Sequence, residues 1–315
     1  MNLSKQLSAW SGSGAFIEIS LLGLRVFYQD FGEIDADPNE TCLLVHGFPE
    51  SSFSFHKVIE GLQHRFRRVV VVDMPGYGLS DKPGSEYSYS LIAQADAIMF
   101  VYRELGITGG HVICHDMGTS VVTEWLARYV NHQLPGWFSD SFKSVTFTNG
   151  SMVLGLAKLR LMQKLLLKQN IGPLISKFAS YSMFAKTILS AHGAQDQHQL
   201  DNNDLQLLWE NVALQDGHKK NHLVIRYLID RHRFEGSRWL PSLPLASKCL
   251  PIHFCWGNAD QVARIEMARY LHQTVCPDST LTEMQDVGHF CQLASPEVWL
   301  DSVLRFYDPG TGVSR

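Results

Sequence analysis

Three short stretches of this 315-residue chain carry side chains whose types and order suit covalent chemistry. The first, His111-Val112-Ile113-Cys114-His115-Asp116-Met117-Gly118-Thr119, reads as a strand running into a helix through a very tight turn with Asp116 at its tip. A reactive residue on such a strained turn needs small residues two before and two after it, so that strand and helix can approach; Cys114 and Gly118 stand there. A carboxylate at the tip would attack saturated carbon and form an alkyl ester. The competing assignment is structural, because Asp is a favoured helix N-cap and its charge suits a helix N-terminus.

No serine in the chain has the G-x-S-x-G surroundings of a serine nucleophile. Cys114 at the tip would require small residues where Val112 and Asp116 stand, which leaves Asp116 by elimination. The other two stretches follow downstream. Trp256-Gly257-Asn258-Ala259-Asp260 puts an acid just past a strand end, and Asp286-Val287-Gly288-His289-Phe290 puts a histidine in a loop after the last strand. Nucleophile, acid, histidine is the chain order of an elbow-type hydrolase. Asn149, after another strand end, is the other place where an acid could stand and is not one, so Asp260 is the better choice. Upstream, His46-Gly47-Phe48-Pro49 follows a strand, and its glycine lets the backbone fold close to a bound oxygen. The expected oxyanion donors are the backbone N–H groups of Phe48 and Met117.

The elements needed to hold these residues are legible as apolar runs. Cys42 to Val45, Val69 to Asp73, His111 to Cys114, Val145 to Thr148 and Ile252 to Trp256 are short and rich in β-branched residues, as in strands covered on both faces. Phe16 to Ser20 and Leu24 to Asp30 flank Gly23 as an antiparallel pair, and Leu281 to Met284 supplies a last strand. Helical spacing is clearest over Thr119 to Val130 and recurs near Arg264 to Thr274. Alternation of strand and helix predicts an α/β fold with a mostly parallel eight-stranded sheet flanked by helices. The alternation stops between about Ser151 and Leu245, where Lys158 to Lys168 and Leu205 to Ala213 read as helices. The expected organisation is a core of residues 1–150 and 246–315 with a helical cap, 151–245, inserted after strand 6.

Composition narrows the function classes. A net charge of −4, with charges interspersed, offers no basic patch for nucleic acid. No His, Cys and acid cluster has metal-ligand spacing and no glycine loop cradles a phosphate, so no metal and no cofactor are expected. The six cysteines form no C-x-x-C pair, the first residues lack the order of a signal peptide, and no run is long enough to span a membrane. A cytoplasmic monomer or homodimer acting on a small molecule is expected. Met152, Leu156, Leu161, Met162, Phe178, Met183, Phe184 and Trp209 make the cap apolar, which suits either a greasy substrate or simple packing between helices. Lys158, Arg160, Lys164 and Lys168 give one cap helix a basic face, read as solvated surface rather than membrane contact.

The motifs His46-Gly47-Phe48-Pro49, Asp73-Met74-Pro75-Gly76-Tyr77-Gly78-Leu79-Ser80-Asp81-Lys82-Pro83, Cys114-His115-Asp116-Met117-Gly118 and Gly288-His289 resemble the epoxide hydrolase and haloalkane dehalogenase branch of the α/β-hydrolases. The resemblance runs from about Gly23 to Tyr307, with specific motifs in the sheet and a looser likeness in the insertion. It implies Asp116 as nucleophile, His289 as base, Asp260 as its partner and a cap over the site. The dehalogenases carry a Trp directly after the nucleophile to hold the halide, and Met117 stands there, so the resemblance favours epoxide opening. Its epoxide hydrolases use a pair of cap tyrosines, for which Tyr181 and Tyr227 are the candidates by rough position. The expected function is therefore an epoxide hydrolase-like enzyme on a small apolar substrate. The alternatives are a dehalogenase-like hydrolase and a non-catalytic hydrolase-fold protein that binds a ligand in the capped pocket.

Overall fold

The computed structural model describes residues 3–307 apart from 158 and 194. The eight expected strands are β1 (Ala15–Ile19), β2 (Leu24–Gly32), β3 (Thr41–Val45), β4 (Arg68–Val72), β5 (Gly109–His115), β6 (Ser141–Thr148), β7 (Ile252–Gly257) and β8 (Thr280–Met284). They form one sheet in the order β1-β2-β4-β3-β5-β6-β7-β8. β1 and β2 pair antiparallel, as do β2 and β4, and all other pairs are parallel. β6 begins earlier than its apolar run suggests: Ser141 and Lys143 are partly exposed and carry no hydrophobic signal, yet Ser141 and Phe142 pair with Gly109 and Gly110.

Period-two alternation sends successive side chains of the central strands to two separate cores. Leu43, Val45, Val70, Val72, Val112 and Cys114 join one apolar cluster. Cys42, Leu44, Val69, Val71 and Ile113 join the other, on the opposite face. That division explains why these strands read as unbroken apolar runs. Five of the six cysteines are buried and all six are free thiols.

Chain order reverses between β3 and β5, so the carboxyl ends of β3, β5, β6, β7 and β8 surround one crevice, where ligands bind in open α/β sheets. Between β6 and β7 the described residues form helices and turns and no strand of the sheet. The helix expected over Lys158 to Lys168 is shorter. It spans Leu161–Leu166, because Arg160 is extended and its N–H is taken by the Gln163 side chain at 2.9 Å; Lys158 lies outside the described residues. The helix expected from Arg264 runs Ile265–Tyr270 and widens into a π-type turn over Leu271–Val275. Leu240–Ala246, at the end of the helical segment, packs on the helix Met117–Val130 and so sits with the sheet. No helix among the described residues is long and apolar enough to cross a membrane.

Candidate active site

Asp116 stands between β5 and the helix Met117–Val130 with φ 45° and ψ −114°, a conformation that costs a non-glycine residue about 1–3 kcal/mol. Its neighbours impose the bend. A Cβ on Gly118 would lie 2.5 Å from the Val45 carbonyl oxygen, and one on Gly47 would lie 2.5 Å from the Asp116 Cβ. Both glycines are thus required by close backbone approach. The carboxylate makes no hydrogen bond to its own helix. The Asp116 carbonyl oxygen instead accepts from the Thr119 N–H at 3.1 Å and the Thr119 hydroxyl at 2.6 Å, so the helix start is satisfied without the side chain. Asp116 Oδ2 accepts the Phe48 N–H at 2.9 Å. Met117 follows as the first helical residue, and its Sδ accepts the Tyr77 hydroxyl at 3.2 Å.

His289 approaches from the loop after β8. Its Nδ1 lies 2.8 Å from Asp260 Oδ2 and its Nε2 lies 3.7 Å from Asp116 Oδ1, with all three side chains buried. A carboxylate partner requires the hydrogen on Nδ1, which leaves Nε2 as the basic nitrogen facing Asp116. Asp260 is itself held by four donors. Besides the imidazole, Asn149 Nδ2 donates to Oδ2 at 2.7 Å, and the Val262 and Ala263 N–H groups donate to Oδ1 at 2.6 and 2.9 Å. Asn149 also accepts the Gly257 N–H at 3.1 Å, which ties the ends of β6 and β7 together. Burial pulls the His289 value down, but the charge and hydrogen bond of Asp260, with Asp116 beyond them, carry it above the ordinary histidine value.

A second buried pair escapes sequence reasoning. His115 Nδ1 lies 2.5 Å from Glu50 Oε2, and its Nε2 lies 2.8 Å from the His289 carbonyl oxygen. Both ring nitrogens face acceptors, an arrangement that favours the doubly protonated ring. Burial opposes that charge, yet Glu50 raises the His115 value well above the ordinary one. Gln292 Nε2 completes the pair by donating to Glu50 Oε1 at 2.9 Å. The available signal was adjacency, since Glu50 follows His46-Gly47-Phe48-Pro49 and His115 precedes Asp116.

Asp116 and His289 open into a cavity whose other walls include Phe48, Met162, Ile175, Phe184, Trp209 and Tyr227. Tyr227 is therefore in the site. Burial, with the Asp116 charge next, raises its phenol value, and Arg231 opposes that rise. The Arg231 guanidinium sits 5.0 Å from the Tyr227 ring centre and donates from Nε to Ser120 Oγ at 2.9 Å. Tyr181 is not brought to the cavity; its ring rests against Trp209 instead. The apolar residues of the helical segment divide similarly. Met162, Met183, Phe184 and Trp209 line the cavity, Met152 is core, and Leu156, Leu161 and Phe178 are exposed. Among the described residues no group of His, Cys and acidic side chains has the arrangement of a metal site.

A strained turn at the head of a parallel strand, at the switch point of a mostly parallel sheet, defines the class to which this molecule is assigned. The chain belongs to the α/β-hydrolase fold family, whose model matches residues 41–296. Among particular relatives, it is 31% identical to the human mesoderm-specific transcript homolog protein over 96% of this chain and 88% of that protein. It is 34% identical to the putative hydrolase LipZ of Mycobacterium tuberculosis over 84% of this chain and 87% of that protein. Epoxide hydrolase 1 of Caenorhabditis elegans is 24% identical over 91% of this chain and 69% of that protein.

Proposed function

We propose that this chain is a covalent hydrolase in which Asp116 attacks an epoxide carbon, His289 with Asp260 hydrolyses the resulting ester, and residues 151–245 act as the cap. The observation that carries the reading is a buried carboxylate at the elbow tip, free of its own helix and 3.7 Å from the basic nitrogen of His289. A carboxylate attacking an ordinary ester carbonyl would give an anhydride, which is formed uphill and reverts quickly. Attack on saturated carbon gives a stable alkyl ester instead.

The geometry supports a division of labour between the two carboxylate oxygens. Oδ2 is engaged by the Phe48 N–H, so Oδ1 is the oxygen available to attack. The C–O bond of the epoxide breaks as the Oδ1–C bond forms, and the departing oxygen takes a proton from the Tyr227 phenol. His289 Nε2 then removes a proton from water, which attacks the ester carbonyl carbon. Charge develops on Oδ2, where the Phe48 N–H already donates and the Met117 N–H is the expected second donor; loss of one such donor typically costs about 3 kcal/mol of transition-state stabilisation. Collapse releases the diol and regenerates the carboxylate, and the His289 proton restores the phenol. A cavity of about 120 Å³ is of the order of the ~150 Å³ apolar cavity that admits benzene, which supports a small apolar substrate.

A single turnover of an aryl epoxide such as styrene oxide in heavy-oxygen water tests the mechanism. Label is expected in the Asp116 carboxylate, with unlabelled oxygen passed to the diol. Label that enters the diol while Asp116 stays unlabelled would mean direct attack by water and would remove the covalent mechanism.

A further inference from the structure

Residues 151–195 contain Lys158, Arg160, Lys164, Lys168, Lys177 and Lys186 and no Asp or Glu, in a chain whose net charge is −4. The same stretch exposes large apolar side chains. Leu161 is 72% exposed, Phe178 66% and Leu174 57%, and Ile171, Met183 and Leu189 are exposed as well. The short helix Gly172–Lys177 and the residues at its two ends show how this arises. Ile175 and Ala179 line the cavity, whereas Ile171, Leu174 and Phe178, spaced at i, i+3 and i+7, are exposed. A helix apolar on the side away from its own core requires a second apolar medium or partner. Lys164, Lys168, Lys177 and Lys186 stand exposed among these residues, with the Lys177 ammonium 5.9 Å from the Phe178 ring centre.

We propose that this face of the helical segment docks on an anionic lipid surface. The choice of occupant rests on charge complementarity. Four exposed lysines, Lys164, Lys168, Lys177 and Lys186, in a stretch without an acid attract a negatively charged bilayer, and the exposed Leu, Ile and Phe side chains then enter the headgroup boundary. Each signal alone gives marginal attachment, and together they give stable but reversible attachment. Helices carrying the face also form the cavity wall, since Met162, Leu166, Ile175 and Ala179 line it. Docking here would set the cavity beside the phase in which apolar molecules accumulate. The basic side chains alone suit a solvated surface, and it is their exposed apolar neighbours that point to a lipid surface. This inference goes beyond the covalent mechanism and does not depend on it.

Co-sedimentation of the full chain with vesicles tests it, comparing phosphatidylcholine alone with an equal mixture of phosphatidylcholine and phosphatidylglycerol. Binding is expected to the anionic vesicles at low salt, weakening as salt screens the charges. Lys168→Gln and Lys177→Gln should each weaken it about fivefold. Leu174→Ser with Phe178→Ser should abolish it; neither residue lines the cavity, and an unchanged circular-dichroism spectrum and melting temperature serve as the folding control. Absence of binding to anionic vesicles would overturn the proposal, as would binding that survives the Leu174 and Phe178 changes. So would a concentration-dependent dimer, seen by light scattering without lipid and lost in the same double variant, because the face would then belong to a second copy.

Discussion

The two walls of the cavity are built differently. On the sheet side, each ionisable group around Asp116 has a partner: Phe48 N–H on Asp116, four donors on Asp260, and Glu50 and the His289 carbonyl on His115. On the helical side, Arg231 and His192 are each held at one nitrogen, by Ser120 and Asp196, while Arg231 Nη2 and His192 Nε2 are buried without a hydrogen-bond partner among the described residues. Buried groups that are fully paired are fixed before any substrate arrives, whereas each unpaired buried nitrogen carries a desolvation cost. On the proposed mechanism the chemistry falls to the fully paired wall, and the largely apolar helical wall shapes the space beside it.

Substitutions that strip function from the rigid wall should have the largest effect. Asp116→Ala is expected to lower turnover by about 10⁴-fold or more with melting temperature little changed, measured by steady-state kinetics and calorimetry. Retention of most activity would move the nucleophile elsewhere. Next in size is His289→Gln, which should slow turnover by about 10³-fold while the alkyl-enzyme accumulates, since only the second step needs the base. Intact-mass spectrometry would reveal the adduct, and an unmodified protein during slow turnover would contradict the order of steps.

His289 also supplies a pH signature. Its value is raised in the folded chain, so folding favours the charged ring. The resulting stabilisation is full below the unfolded histidine value and is lost as pH rises through the folded one. Hydrolysis needs the neutral ring, so turnover should climb over the interval in which that stabilisation falls. Esterification removes the Asp116 charge, one of the causes that raise the value. The acid limb for kcat should accordingly lie below the His289 titration of the free chain when the second step limits, and a limb that coincides with that titration would separate Asp116 from His289 electrostatically.

Effects should shrink on crossing to the helical wall. Tyr227→Phe is expected to cost about 10²-fold in kcat, the lower end for a proton donor. Arg231→Gln should slow the enzyme when Tyr227 is present and add little once it is replaced; equal losses in both backgrounds would make Arg231 merely structural. Tyr181→Phe, which alters a side chain held against Trp209 outside the cavity, should change kcat/KM by less than about twofold.

What could be read in advance follows the same division. Strands buried on both faces announce themselves as apolar runs, and Asp116, Asp260 and His289 each sit in a turn whose neighbours are constrained by backbone packing. Glu50 and His115 form their contact across the sheet, 65 residues apart in sequence, and no local pattern encodes it. Asn149 stands after a strand end where an acid could have stood, and only the fold shows it holding Asp260. In the helical segment, spacing alone could not distinguish the side facing the cavity from the side facing outward. That is why Tyr181 and Tyr227 carried equal weight in sequence and diverge in space, and why Leu161 and Met162, adjacent in sequence, are exposed and cavity-lining respectively.

The crevice also has a consequence for biosynthesis. The tip carboxylate is positioned once β3, β5 and β6 have paired, but the imidazole that serves it lies 174 residues beyond His115 and joins only when the final strand closes the sheet. Long-range closure is slow relative to local pairing. On the proposed mechanism, an Asp116 that met an electrophile before His289 had joined the sheet would hold it as an ester with no base to release it.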